Sequence, residues 1–192
     1  MAAILYDDPP AEMKGVVPDL TNARKIGALL LRYRLEADVE RTQLALIDGE
    51  PVGLLETMRP ADRSHISPVT IAAVLARGML IVGPQGLLRF LRYQSARARV
   101  QVERTAGSYY IAELDVHPEH RNRGIGAALL RHAEREARDE GFAQMSLATS
   151  IINPAQRLYM REGYRIIETR RDARYEQITG IPGRVLMVKD LS

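Results

Sequence analysis

Between Arg121 and Ala127 the chain reads RNRGIGA, two arginines, an asparagine and two glycines set directly ahead of a helix-forming run. Glycine is poor inside a helix and useful where backbone must come close to a ligand. The first N–H groups of a helix have no intrahelical partner, and the helix dipole is positive there. Such an end takes phosphate. Gly124 and Gly126 keep side chains out of the approach, and Arg121 and Arg123 add cationic charge. Together with Asn122, Ile125 and Ala127, they make a loop chemically suited to a pyrophosphate. A Walker loop is excluded, because no Gly-Lys-Ser/Thr follows. A dinucleotide fingerprint fails as well: Leu129 stands where a third small residue is needed, and no acidic residue closes the next strand near Thr149–Ser150.

Other reactive side chains are sparse. There is no cysteine, so disulfide and thiolate chemistry are out. Asp115, His117 and His120 could suggest metal ligands, but they straddle a strand end and read as a polar loop; no metal is expected. The arginines at 89, 92, 97, 99 and 104 lack interleaved aromatics and read as solvated helix and loop faces, so nucleic acid is not the expected partner.

The elements that must position the loop follow from periodicity. Ser108–Val116 reads as a strand entering it, and Gly126–Glu140 as the helix leaving it. That helix carries Leu129, Leu130, Ala133 and Ala137 on one side, a supporting Glu134–Arg138 pair and a stop at Gly141. Phe142–Thr149 is a strand, Pro154–Arg161 a short helix, and YRIIETR and RVLMVKD two closing strands. Upstream, Asn22–Glu36 has helical spacing, and residues 7–18 read as irregular. Asp48-Gly49 between two apolar runs signals a hairpin. Thr70–Leu80 and Gly86–Gln94 look helical, broken by VGPQG. Strands alternating with helices indicate an α/β or α+β sheet protein.

Of the 192 residues, 46% are apolar and 27% charged, with net charge +3. One domain spanning 1–192 is expected, with residues 59–107 as a helical insertion. Neither a transmembrane run nor a signal peptide is seen, and a cytoplasmic location is expected. Lysine occurs only at Lys14, Lys25 and Lys189; the other cations are arginines, which favour planar contact with phosphate and carboxylate.

The loop and its lead-in, ELDVHPEHRNRGIG, resemble the pyrophosphate loop of the GNAT superfamily, the acetyl-CoA-dependent N-acetyltransferases. Downstream, NPAQRLYMREGYR resembles that family's second motif, with Tyr159 on a short helix ahead of Gly163 and Tyr164. Two motifs in the right order are more specific than either alone. The resemblance implies a mixed, mainly antiparallel sheet that splits open between Ser108–Val116 and Phe142–Thr149. It implies that the backbone of Leu114, Asp115 and Val116 forms a bulged strand pairing with the pantetheine arm of acetyl-CoA, and that Arg121–Ala127 holds the pyrophosphate. Asn153 lies one position after the family's asparagine, where Ile152 stands; it is either a cofactor contact or a cap for the helix begun by Pro154. The family's first strand has no clear counterpart.

By the same resemblance the reaction is transfer of an acetyl group to a primary amine of a small molecule or peptide in a ternary complex. Tyr159 resembles the general acid. Tyr110 and Ala112 would face the acceptor, and Glu113 is the nearest carboxylate for a base, provided a bulge re-aims it. The insertion is expected to border the acceptor side and to carry a homodimer contact. A non-catalytic acyl-CoA-binding or regulatory module is the alternative.

Overall fold

The computed structural model describes residues 41–60 and 68–191, with positions 19, 21, 22 and 25. The expected irregular stretch 7–18 and most of the expected helix Asn22–Glu36 lie outside the described residues. Within them, the chain divides into two compact units.

The larger unit holds residues 41–60, 102–170 and 184–191. Asp48 (φ 51°) and Gly49 (φ 83°) both adopt left-handed backbone, the conformation that a tight hairpin turn demands. They join β1 (Thr42–Ile47) to β2 (Glu50–Met58) in an antiparallel pair. β3 (Tyr109–Val116) pairs antiparallel with β2. α1, Pro68–Arg99, belongs to the other unit and precedes it in the chain. After β3 comes a single 3₁₀ turn, Pro118–His120, and then α2, Ile125–Asp139. α2 is the crossover that lets β4 (Gln144–Ser150) run parallel to β3. α3 (Gln156–Arg161), β5 (Arg165–Arg171), α4 (Ala173–Thr179) and β6 (Gly183–Asp190) complete the order. The six-stranded sheet runs β1-β2-β3-β4-β6-β5 and is mostly antiparallel, as expected.

The core of this unit is where the sequence places it. Leu129, Leu130, Ala133 and Ala137 of α2 are buried against Leu55, Ile111, Met145, Leu147 and Met187 of the sheet. α2 ends at Gly141 in left-handed conformation (φ 82°), with the Phe142 amide donating to the Ala137 carbonyl at 2.8 Å, the usual glycine-terminated helix end. Glu134 departs from the expected polar face. It is buried, and its carboxylate takes the Lys189 ammonium at 2.5 Å, while the expected partner Arg138 stands at 3.9 Å.

The smaller unit holds residues 68–101 and 171–183. The two helices expected around VGPQG are two arms of α1, broken at Gly83 (φ 67°, ψ −178°). Glycine tolerates that φ, and Pro84 behind it has no N–H to carry the ladder on. The second arm continues past Gln94 to Arg99. Its Ala96, and Val100 just past its end, pack with Tyr175 and Ile181 around α4, a helix that periodicity does not reveal. Arg99, read as a solvated side chain, pairs with Asp172 at 3.6 Å. No helix among the described residues is long and apolar enough to cross a membrane.

Candidate active site

The site begins where the sheet fails. β3 and β4 are paired only at Tyr109–Met145, Tyr110–Ser146 and Ile111–Leu147. Past Ile111 the two strands part, although β3 stays bonded to β2 as far as Val116, and β4 to β6 as far as Ser150. A cleft therefore opens inside the sheet with β3 and β4 as its banks. On the β2 side the register shifts: Glu56 faces Glu113, but Thr57 faces Ile111, leaving Ala112 as the extra residue. The expected bulge is thus present, but it lies at Ala112, at the closed end of the cleft and ahead of Leu114, Asp115 and Val116. A bulge places two successive residues against one on the partner, which resets the alternation of side chains beyond it. Beyond it Leu114 packs against the core that holds Tyr109 and Ile111, so alternation puts Glu113 on the other face of the strand.

At the mouth of the cleft sits the glycine loop. Asn122 (φ 61°) and Gly124 (φ 83°) are both left-handed, and Gly124 occupies the cap position of α2 with no side chain closing the helix end. The first carbonyl–amide bond of the helix is Ala128 N–H to the Gly124 carbonyl at 2.9 Å. The amides of Ile125, Gly126 and Ala127 precede that bond and are the open donors of the helix start. A Cβ on Gly124 would meet open space, whereas one on Gly126 would lie 2.9 Å from Leu158 Cδ2 of α3. The two glycines therefore have different jobs: Gly124 shapes an open cradle, and Gly126 lets α3 dock against α2. Arg121 is braced across the loop, its Nε donating to the Val116 carbonyl at 2.9 Å and its guanidinium 3.6 Å from Asp115 Oδ1. Asp115 Oδ1 also accepts the Val116 amide at 2.8 Å. Arg123 is exposed. The loop is a pre-shaped backbone cradle with one arginine as strut and another at its rim.

Tyr159 lies in α3, which starts at Gln156, two residues later than expected. Its side chain is 5% exposed and meets the Tyr164 ring edge-on, with centroids 6.1 Å apart. Burial pushes its phenol well above the ordinary value, and the charges of Glu113 and Asp115 push it further. The structure thus brings together the two residues singled out for proton transfer: Glu113 is near enough for its charge to act on the Tyr159 hydroxyl. Asn153 is committed elsewhere. Its Nδ2 donates to Thr149 Oγ1 at 2.6 Å, and its Oδ1 accepts the Ala155 amide at 2.9 Å, so it serves as the cap of the turn that opens α3.

The sequence reading passed over three features. The Asp115–Arg121 brace carries no sequence signal, because it depends on Arg121 folding back across the loop to the end of β3. The rings of His117 and His120 lie 5.8 Å apart, and each buries an Nδ1 without a hydrogen-bond partner. No group of three or more metal-ligating side chains occurs among the described residues. Arg104, read as solvated, stacks on Tyr110, its guanidinium carbon 4.4 Å from the ring centroid.

A family model described as "Acetyltransferase (GNAT) family" matches residues 17–164. No curated protein matches the sequence. Among solved structures, similar folds include PH1933 from Pyrococcus horikoshii OT3 (TM-score 0.57, 15% identity, covering 98% of this chain and 89% of that one). Another is Ard1 from Thermoplasma volcanium (TM-score 0.52, 14% identity, covering 85% and 78%). A third is the ribosomal-protein-S18-alanine N-acetyltransferase from Escherichia coli (TM-score 0.50, 18% identity, covering 84% and 76%).

Proposed function

The chain belongs to the GNAT acetyltransferase family and is an acyltransferase; from that premise we propose that it transfers the acetyl group of acetyl-CoA to a primary amine within a ternary complex. One observation carries the reading: the cleft between β3 and β4 runs from an open helix N-terminus at its mouth to a bulge at Ala112, beyond which a buried tyrosine and a carboxylate share one electrostatic neighbourhood. The fit to acetyl-CoA rests on this geometry. The Gly124 cradle has room where a side chain would stand, and the amides of Ile125, Gly126 and Ala127 suit a pyrophosphate. The parted length of β3, Leu114–Val116, offers backbone to an extended arm, although the Val116 amide is already taken by Asp115.

Bound acetyl-CoA supplies an activated acetyl group and a sulfur leaving group. Tyr159 holds its proton at Oη, because burial and two neighbouring carboxylates disfavour the phenolate. It is the proton donor of the reaction. Glu113 is the acceptor for the proton of the incoming ammonium, a role that needs a carboxylate within reach directly or through one water. The loop from Arg121 to Ala127 orients and does no proton chemistry. We read residues 1–192 as one acetyltransferase domain elaborated by the α1–α4 unit.

The test is consumption of acetyl-CoA with a panel of primary amines, together with calorimetric binding of CoA. Turnover with any amine supports transfer. CoA binding without turnover across the panel identifies a non-catalytic CoA-binding module, and failure to bind CoA removes both readings.

A further inference from the structure

The acetyl-transfer reading leaves the acceptor open, and a second cavity beside the closed end of the cleft bears on it. Tyr109 and Ile111 point into the core against α2, so alternation along β3 turns Tyr110 to the opposite face of the sheet. There it lines a cavity of about 200 Å³ with Arg59, Pro60 and the segment Arg104–Ser108. Tyr110 is one residue from Ile111, the last residue paired to β4, and two from the bulge. At about 3.3 Å per residue the cavity starts within roughly 7 Å of the cleft's closed end.

The charges around this cavity are unequal. Arg59 is already satisfied: its Nε and a terminal nitrogen donate to the two Glu140 oxygens at 2.6 Å each. Arg104 has no carboxylate within ion-pair distance among the described residues. It spends its flat face on the Tyr110 ring. Stacking uses the face of a guanidinium and leaves the N–H edge, whose fork matches a carboxylate. Beside it, the Thr105 hydroxyl is buried without a hydrogen-bond partner. The Ser108 hydroxyl donates to the Thr105 carbonyl and pairs with Ser146, fixing this turn. A buried hydroxyl without a partner carries a cost, and a bound oxygen acceptor would remove it.

Resting on the acetyl-transfer reading, we propose that the acceptor is an amine that also carries a carboxylate, and that Arg104 and Thr105 bind that carboxylate on the face of the sheet away from α2. Arg104, pre-set by Tyr110, donates its edge to the two oxygens, and the Thr105 hydroxyl donates to one of them. The amine of the same small molecule then reaches the closed end of the cleft at Ala112.

The experiment compares glycine, L-alanine and β-alanine with their carboxamides as acceptors for wild type, Arg104→Gln and Thr105→Val at saturating acetyl-CoA. A charge-assisted bond of this kind corresponds to about 10–100-fold. The expected wild-type preference for acid over amide in kcat/KM is of that size, carried by KM, and it collapses toward unity in Arg104→Gln. Turnover with no such preference, or with a preference that survives Arg104→Gln, overturns the proposal while leaving acetyl transfer intact. If no amine is turned over, the acetyl-transfer reading fails, and a turnover-free measurement decides the subsite. Phenylglyoxal modification of Arg104 is followed by peptide mass spectrometry with N-acetyl-β-alanine or its carboxamide present. Protection by the acid alone supports the carboxylate subsite; equal protection by both, or by neither, refutes it.

Discussion

The two halves of β3 carry different work on one strand. At Tyr110 and Ile111 it is paired on both sides, and Tyr109 just before them is paired to β4. Tyr109 is 2% exposed, with its hydroxyl 3.0 Å from Thr57 Oγ1 and 3.2 Å from Glu136. From Glu113 to Val116 the strand is bonded on one side only, every residue is partly exposed, and the nearby buried phenol, Tyr159, is set by charge as well as burial. Both tyrosines are shifted upward chiefly by burial. Carboxylates act on both, Glu136 and Glu140 on Tyr109, Glu113 and Asp115 on Tyr159; the difference is that Tyr109 is hydrogen-bonded to Thr57 and Glu136, whereas the carboxylates acting on Tyr159 stand on the bank of a cleft. The proposed acid lies beside the length of β3 where the sheet has parted, and one inserted residue, Ala112, marks the boundary.

Tyr159→Phe is the sharpest cut through this contrast. It removes one oxygen from the open half, and kcat should fall by about 10²–10⁴-fold, with CoA affinity little changed. Wild-type turnover in the variant would make Tyr159 a second Tyr109, a packing residue. On the closed half, Ile111→Ala should cost about 2–5 kcal/mol in urea unfolding, the usual range for emptying a buried aliphatic site. A cost under 1 kcal/mol there would show that the paired half is no more rigid than the parted one. Gly124→Val at the cleft mouth should weaken CoA binding about 10–100-fold, for the loss of a charge-assisted contact, while forcing a branched residue into left-handed backbone costs the fold only about 1–2 kcal/mol. Unchanged CoA affinity by calorimetry would move the phosphate site elsewhere. The smallest effect belongs to Glu140, at the C-terminal end of α2. Its bond to Arg59 holds the carboxyl below the usual carboxylate range. Both partners are substantially exposed, so Glu140→Gln should cost no more than about 1 kcal/mol. Because the folded form is the more acidic, that stability is present above the ordinary carboxylate range and vanishes as pH falls through the lowered one. Thermal melts of the two proteins should converge in acid; a gap that persists there would assign the loss to packing.

Features written locally were legible in the sequence. Asp48-Gly49 specifies its own turn, Gly83-Pro84 its own break in α1, and the α2 face repeats often enough to be read. Even α4 left a signal, since Asp172 caps it through the Tyr175 amide at 2.9 Å and Gly180 ends it in left-handed conformation; seven residues were too few for periodicity to register. Features created by pairing were not legible. The bulge exists only relative to β2, so the sequence places it near the right strand segment but not at Ala112. Glu134 looks solvated until β6 brings Lys189 to it. Arg104 looks like one of several surface arginines until Tyr110 turns up beneath it. The loop and Tyr159 were legible as motifs; what surrounds them was not, because electrostatic neighbours are chosen by the fold.

The parting of β3 from β4 also creates a sheet edge in the middle of a sheet. Along 113–116 and 148–150 neither bank is paired to the other; Asp115 and Arg121 cover the Val116 amide and carbonyl, and Arg184 and Gln156 cover the carbonyls of Ala148 and Ser150, so the edge is partly capped, as edge strands commonly are. An extended ligand that fills the gap acts as a missing strand. It hides that edge and adds stability by mass action, about 2.7 kcal/mol at a hundredfold excess over Kd. On the proposed binding of acetyl-CoA in this gap, solubility on storage should therefore track CoA occupancy.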